Sequence, residues 1–270
     1  MFKNIISFLK GEIHIRTTLI SHFYNEEYLL PWWLMHHTKL FDHGILINRG
    51  STDRSVELCR LFAPNWEVRD SKVPEFDAIL VDQEVMDIEK EVNGWKMTLN
   101  TTEFLCCIDK EAFFLSLSLL GQNMYLIRMI MMVDDPDYGY TKPRYGLPLV
   151  KQRYHGIFSD KPVGLFFGRF IHNYIHGNYT TGRHGTILNY SSYLYPAFIL
   201  KFFYSPWTNS MRKRKLQITP TLSEASAKQF NLKAYYGTSL DHLEQLYKHY
   251  AQETQDLRLN PEYKALFPDL

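Results

Sequence analysis

The stretch LINRGSTDRS, Leu46 to Ser55, decides how the chain folds. An apolar run ends in a turn carrying one glycine, and the hydroxyls Ser51 and Thr52 and the acid Asp53 then lead into a helix-forming segment. A buried strand that turns tightly into a helix is the repeating unit of a parallel sheet. The turn at the carboxyl end of such a strand is where α/β proteins hold nucleotides. On the amino side, EIHIRTTLISHF (Glu12 to Phe23) alternates and then becomes apolar, as a strand entering a sheet does. In NEEYLLPWWLMHHTKLF, Asn25 suits a helix N-cap, Glu26 and Glu27 suit a first turn, and Leu29, Leu30, Trp33 and Leu34 recur at helical spacing. HGILIN (His43 to Asn48) is a second strand. TDRSVELCRLFA is a helix opened by a Thr or Asp cap and stopped by Pro64, and WEVRDS (Trp66 to Ser71) is a third strand. EFDAILVDQEVMDIEKEV (Glu75 to Val92) is a long helix with an acidic face, and GWKMTLN (Gly94 to Asn100) is a fourth strand that ends at TTEFL. This alternation implies a parallel, right-handed sheet.

After about residue 105 the pattern loosens. NMYLIRMIMMVDD (Asn123 to Asp135) reads as one buried strand, and PDYGYTKPRYGLP as a long loop. YLYPAFILKFFYSPW (Tyr193 to Trp207), interrupted by prolines and Lys201, reads as a buried helix, with a membrane- or acceptor-facing surface as the alternative. SEASAKQFNL and SLDHLEQLYKHYAQETQDL are helical. The reading is an α/β fold: a mostly parallel central sheet flanked by helices, one domain with an irregular C-terminal half. Residues 1–11 form a short amphipathic arm, 12–105 a regular α/β half, and 106–270 the second half of the same domain with C-terminal helices.

The 270 residues suffice for one large α/β domain, and a net charge of +1 supplies no global basic field for nucleic acid. Cys59, Cys106 and Cys107 form neither a disulfide framework nor a zinc spacing, which fits a reducing cytoplasm. No apolar run is long enough to span a bilayer. Without a leader sequence the Asn-x-Ser/Thr sequons at Asn100, Asn178 and Asn189 read as chance, and the run MRKRKLQI (Met211 to Ile218) reads as a solvated face, with an anionic lipid or glycan contact as the rival.

Three polar segments, Asn25 to Glu27, Asn48 to Asp53 and Asn100 to Glu103, follow three strands. In a parallel sheet such ends lie side by side and converge on one crevice. SHFYNEEYLLPWW, NRGSTDRS and GWKMTLNTTEFL resemble the nucleotide-sugar-binding half of the family-2 glycosyltransferases of the GT-A fold. The likeness covers residues 13 to about 105 and is nearest the subgroup whose acidic motif continues into Glu-Phe. It implies that Asn25, Glu26, Asn48, Ser51, Asp53, Asn100 and Thr102 hold a nucleoside-diphosphate sugar. It also implies that a carboxylate deprotonates the acceptor, with Glu103 first and Asp134 and Asp135 next.

Two departures change the chemistry. Asn48 and Arg49 stand where the family has two aspartates, and Asn100 and Thr102 stand where it has the metal-binding Asp-x-Asp. Mg²⁺ and Mn²⁺ require hard anionic oxygens, so an amide and a hydroxyl speak against a standard divalent site. Cations can meet the diphosphate charge instead. The candidates are Lys151, Arg153, His172, Arg183 and His184, with Arg49 and His176 beside them; His172 and His176, four apart, would pair on a metal only if helical. The expected activity is sugar transfer from a nucleoside-diphosphate donor to a glycan or lipid-linked acceptor, inverting and metal-independent, in the cytoplasm or at the inner membrane surface. The rival is a non-catalytic nucleotide-sugar or glycan-binding module. A nucleotidyltransferase would carry a Gly-rich basic loop after the first strand, and SHFYNEE has none.

Overall fold

The computed structural model describes residues 15–158, 168–194 and 196–270; the arm expected over 1–11 lies outside them. The first half alternates as the sequence implies: β1 (Thr17–Phe23), α1 (Leu30–His37), β2 (His43–Asn48), α2 (Ser55–Phe62), β3 (Glu67–Asp70), α3 (Ala78–Glu89) and β4 (Trp95–Thr98). The second half adds β5 (Glu103–Cys107), α4 (Lys110–Leu119), β6 (Met124–Ile127), β7 (Met129–Val133), β8 (His155–Ile157), β9 (Arg169–His172), β10 (Ser191–Ser192) and β11 (Ala197–Tyr204). It closes with α5 (Asn209–Leu216), α6 (Glu224–Gln229), α7 (Leu232–Tyr236), α8 (Leu240–Ala251), β12 (Gln255–Asp256) and α9 (Pro261–Leu266).

The strands form two mixed sheets, one ordered β10-β6-β9-β4-β1-β2-β3 and the other β12-β8-β7-β11-β5. In the first, β4, β1, β2 and β3 are mutually parallel, and β9 runs antiparallel between β4 and β6. Phe23 pairs with Asn48, and Asn48 with Asp70, so the turns after β1 and β2 emerge level at the same sheet edge. One apolar core joins the sheets, with Leu19, Trp33 and Met97 packed in the same cluster as Phe104, Ile130 and Phe202. The molecule is therefore a single α/β domain.

Gly44 on β2 lies under the Trp66 indole: a Cβ there would stand 2.1 Å from a ring carbon. Gly44→Ala is expected to cost about 1–3 kcal/mol through overpacking, read as a lower urea midpoint at unchanged slope.

Four expectations are corrected. Asn123 to Asp135 is two strands in different sheets, parted at Arg128. That guanidinium lies over the Phe158 and Phe198 rings and pairs with Glu262, so it stays out of the sheet interior and the chain breaks there. Within the run Tyr193 to Trp207 the segment Ala197–Tyr204 is buried, but as strand β11, held between β7 and β5 with all eight of its residues buried. A short apolar run buried on both faces has no periodicity to tell strand from helix. Asn25 does not cap α1, which begins at Leu30 without a side-chain cap; Asn25 instead adopts a left-handed backbone with φ 51°. The basic run forms α5, and its Arg214 and Lys215 are buried rather than solvated.

Candidate functional site

The first two turns are laced together by side chains. The Asn25 Oδ1 accepts from the Thr52 N–H at 2.7 Å and the Asp53 N–H at 3.3 Å, while the Asn25 N–H donates to the Ser51 Oγ at 3.0 Å. The Glu26 N–H donates to the Ser55 Oγ at 2.7 Å, and the Asp53 carboxylate accepts from the Glu27 and Ser55 N–H groups. Asn25, Ser51 and Asp53 thus fix the shape of the edge. Asn48 closes its own turn, its Oδ1 accepting from the Ser51 N–H at 2.9 Å, and its Nδ2 donates to the Asp70 Oδ1 at 3.0 Å. The amide at 48 has a local reason, since an aspartate there would face the Asp70 carboxylate. Asn48→Asp is expected to destabilise the fold by roughly 1–3 kcal/mol at neutral pH, lessening as the pH falls and the pair shares a proton; thermal unfolding at pH 7 and pH 4 checks it.

Beyond this edge opens a cavity of about 380 Å³. Tyr24, Glu26 and Arg49 come from the first two turns, Asn100 to Thr102 from the end of β4, and Asp82 from α3. Arg169, Gly182 to His184, Lys201, Arg214, Lys215 and Tyr236 come from the second half, so segments on both sides of residue 105 build one site. Among the described residues its walls carry six arginine and lysine side chains against two carboxylates, Glu26 and Asp82, and both carboxylates are already engaged by arginine. The surplus is positive, and the cavity suits an anion.

Each charge has a defined support. Glu103 is fully buried; its carboxylate takes the Arg169 guanidinium at 2.9 and 2.8 Å, lies 3.7 Å from the Lys201 Nζ, and accepts from the Asn100 N–H. Burial alone would raise its pKa, but the Arg169 and Lys201 charges and these hydrogen bonds hold it at about 2. Burial lowers Lys201 to about 8, Glu103 opposing the shift. Arg214 grips Glu26 through Nε and Nη2, each at 2.5 Å. Lys215 packs over the Phe203 ring at 3.8 Å and the Tyr204 ring at 4.4 Å, and burial beside Arg214 pushes its pKa well down. Arg183 has a left-handed backbone with φ 58°, pairs with Asp82, and donates from Nη2 to the Asn100 Oδ1 at 3.0 Å; its buried Nε has no partner. His184 is driven to about 2 by burial and the nearby Arg169 and Lys201, so it is a neutral imidazole.

Asn100 thus carries a guanidinium on its oxygen, and an amide already engaged by arginine is a poor donor set for a divalent cation. Among the described residues no group of three or more His, Cys, Asp or Glu is placed to hold a metal. His172 and His176 are not helical neighbours. His172 sits on β9, fully buried between Glu89 and the Tyr179 hydroxyl, and the His176 Nδ1 accepts from the Asn178 N–H in the following turn.

Among the other sequence candidates, Glu26, Asn100, Thr102, Arg183 and His184 line the cavity, whereas Asn25, Asn48, Ser51 and Asp53 shape its rim and Glu103 lies behind it. Asp134 is held by the Ser205 hydroxyl, the Trp207 N–H and Arg153 at the end of β7, and Asp135 lies 3.7 Å from His155. Lys151 is exposed beside Asp269. None of these four lines the cavity. The sequence reading does not pick out His22, Arg169, Lys201, Arg214, Lys215 or Tyr236. A signal did exist for Arg169 and Lys201, each a lone cation inside an apolar aromatic run.

No helix among the described residues is long and apolar enough to cross a membrane. No protein-family model matches the chain, and no curated protein matches it in sequence. Among solved structures it is similar to S. aureus TarS 1–349 in complex with UDP-GlcNAc, at 15% identity over 48% of this chain and 37% of that one, with a TM-score of 0.33. It is also similar to the M. tuberculosis glucosyl-3-phosphoglycerate synthase in complex with Mn²⁺, UDP and glucosyl-3-phosphoglycerate, at 14% identity over 45% of this chain and 46% of that one, with a TM-score of 0.32. The chain spans less than half the length of either structure it resembles.

Proposed function

We propose that this chain is a glycosyltransferase that binds a nucleoside-diphosphate sugar in the cationic cavity and meets the charge of the departing diphosphate with arginine and lysine instead of a divalent metal. The observation that carries this reading is the Asn100 to Arg183 contact: a guanidinium already engages the Asn100 amide, with an unpartnered Nε still to be satisfied. In this reading Arg183, Lys201 and Lys215 face the diphosphate, Glu103 anchors Arg169 and Lys201 from behind, and Asn25, Ser51 and Asp53 hold the rim rigid. Fixed charges in a water-poor site stabilise a developing anion without reorganising at the moment of transfer. The acceptor would be a glycan or lipid-linked hydroxyl, and the transfer inverting, as the sequence resemblance implies.

A second reading, a nucleotide-sugar-binding module without turnover, is favoured by one observation. Both lining carboxylates are committed to arginine and Glu103 is sealed from the cavity, which leaves no carboxylate there free to deprotonate an acceptor among the described residues. Calorimetric titration with nucleotide sugars in EDTA and in Mn²⁺, followed by prolonged incubation, separates the readings. Binding in EDTA with slow release of nucleoside diphosphate is the expected result. Binding without release favours the module, and a strict Mn²⁺ requirement overturns the metal-free mechanism.

A further inference from the structure

His22 lies on the cavity wall with its side chain 7% exposed, and its two ring nitrogens are in different situations. Nε2 is 2.7 Å from the Glu84 Oε2, whereas Nδ1 is buried without a partner. Glu84 is itself fixed: its Oε2 accepts from the Ser71 hydroxyl and its Oε1 from the Lys72 N–H, each at 2.6 Å. An ionised carboxylate can only accept, so the proton of His22 resides on Nε2 and Nδ1 presents a lone pair. Burial, with Arg183 and Arg49 nearby, lowers the pKa of the ring against the opposing pull of Glu84, which favours the neutral form. His22 is then a fixed acceptor and not a base.

The Arg49 guanidinium, near enough to bear on His22 electrostatically, lies 5.6 Å over the Tyr24 ring and 4.8 Å over the Phe76 ring, and Phe76 meets Tyr236 edge-on at 6.1 Å. This end of the cavity sets one acceptor near a guanidinium that is itself stacked on aromatic rings. Lys201 and Lys215, both packed on Phe203, supply amine donors to the rest. A nucleoside diphosphate has one aromatic end and one anionic end, and this polarity places its base against His22.

Resting on the reading that the cavity takes a nucleoside diphosphate, we propose that His22, fixed by Glu84, reads the base. Its Nδ1 accepts from the imide N–H of uracil, thymine or guanine while Arg49 donates to the adjacent carbonyl. Cytosine and adenine bring a ring-nitrogen lone pair to the same place and are rejected, because two acceptors then face each other in a dry site.

The test is calorimetric titration of the full chain with UDP, CDP, GDP and ADP in EDTA. The tighter of UDP and GDP is expected to exceed CDP and ADP by about 10- to 100-fold. In Glu84→Gln the amide oxygen stays on the Lys72 N–H and the NH₂ donates to the His22 Nε2. The proton then moves to Nδ1, and the preference is expected to invert toward CDP, whose N3 accepts while its O2 carbonyl still meets Arg49; adenine has no carbonyl there and stays weak. A packing role for His22 would produce no inversion. Affinities for all four within about threefold of one another overturn the inference and leave the proposed function standing. An unchanged preference in a folded Glu84→Gln protein also overturns the inference. Should that variant fail to fold, the comparison in the unaltered protein decides. Failure of every nucleoside diphosphate to bind overturns the proposed function, and the base-reading role with it.

Discussion

Replacing Glu103 by Gln is expected to destabilise the fold by about 3–5 kcal/mol, because it removes the buried carboxylate that pairs with Arg169 and Lys201. The titration of the native residue gives a similar figure. Its pKa falls from 4.5 to about 2 on folding, which corresponds to roughly 3 kcal/mol. A depressed carboxylate stabilises above its unfolded value, so this contribution is complete above about pH 4.5 and is lost as the pH drops toward 2. Urea unfolding at pH 7 and pH 3 should therefore show a large gap between native and variant at pH 7 and a much smaller one at pH 3. Lys201, already lowered to about 8 with Glu103 opposing the shift, would lose its proton more readily in the variant and so limit the damage. A bound diphosphate should restore part of the lost stability by supplying the missing negative charge. Equal stability of the two proteins at pH 7 would contradict this account of Glu103.

Lys215→Met is expected to act in opposite directions on stability and on binding. Lys215 is 3% exposed, packs on two aromatic rings, and has no carboxylate within ion-pair reach among the described residues. Methionine fills similar space against Phe203 and Tyr204 and removes an amine that burial penalises, so the melting temperature should rise, by the equivalent of about 1–2 kcal/mol. Affinity for a nucleoside diphosphate should fall about 30- to 100-fold, the loss of one charge-assisted hydrogen bond to phosphate. Thermal unfolding and calorimetry on the same sample check both signs. A variant that is both less stable and fully competent to bind would contradict the placement of Lys215. Holding a buried amine without a carboxylate beside it is the kind of instability that a binding site maintains for its ligand.

The first hundred residues were legible because their information is local. HGILIN is β2 at its observed bounds, the strand-helix alternation gave four parallel strands, and the level ends of β1 and β2 follow from that topology alone. The second half was less legible. Its strands are short, buried on both faces, and divided between two sheets, so β11 has no amphipathic period, and the split at Arg128 depends on partners as distant as Glu262. The site divided along the same line. The lacing of Asn25, Ser51 and Asp53 joins neighbouring turns, whereas Glu26 meets Arg214 across 188 residues and Glu103 meets Arg169 across 66.

By itself the sequence determined the parallel core of the sheet, the edge where the turns gather, and the uncharged or basic side chains at positions 48, 49, 100 and 102. Periodicity and turn chemistry act over a few residues, and a chain carries them wherever it goes. Only the tertiary structure decided that this edge is a cationic cavity, because its charge comes from Arg169, Lys201, Arg214 and Lys215, which become neighbours only when β9, β11 and α5 pack against the end of β4. Which of two ring nitrogens on His22 is left free was likewise fixed by Glu84 on another element, since an imidazole takes its tautomer from the partner it meets.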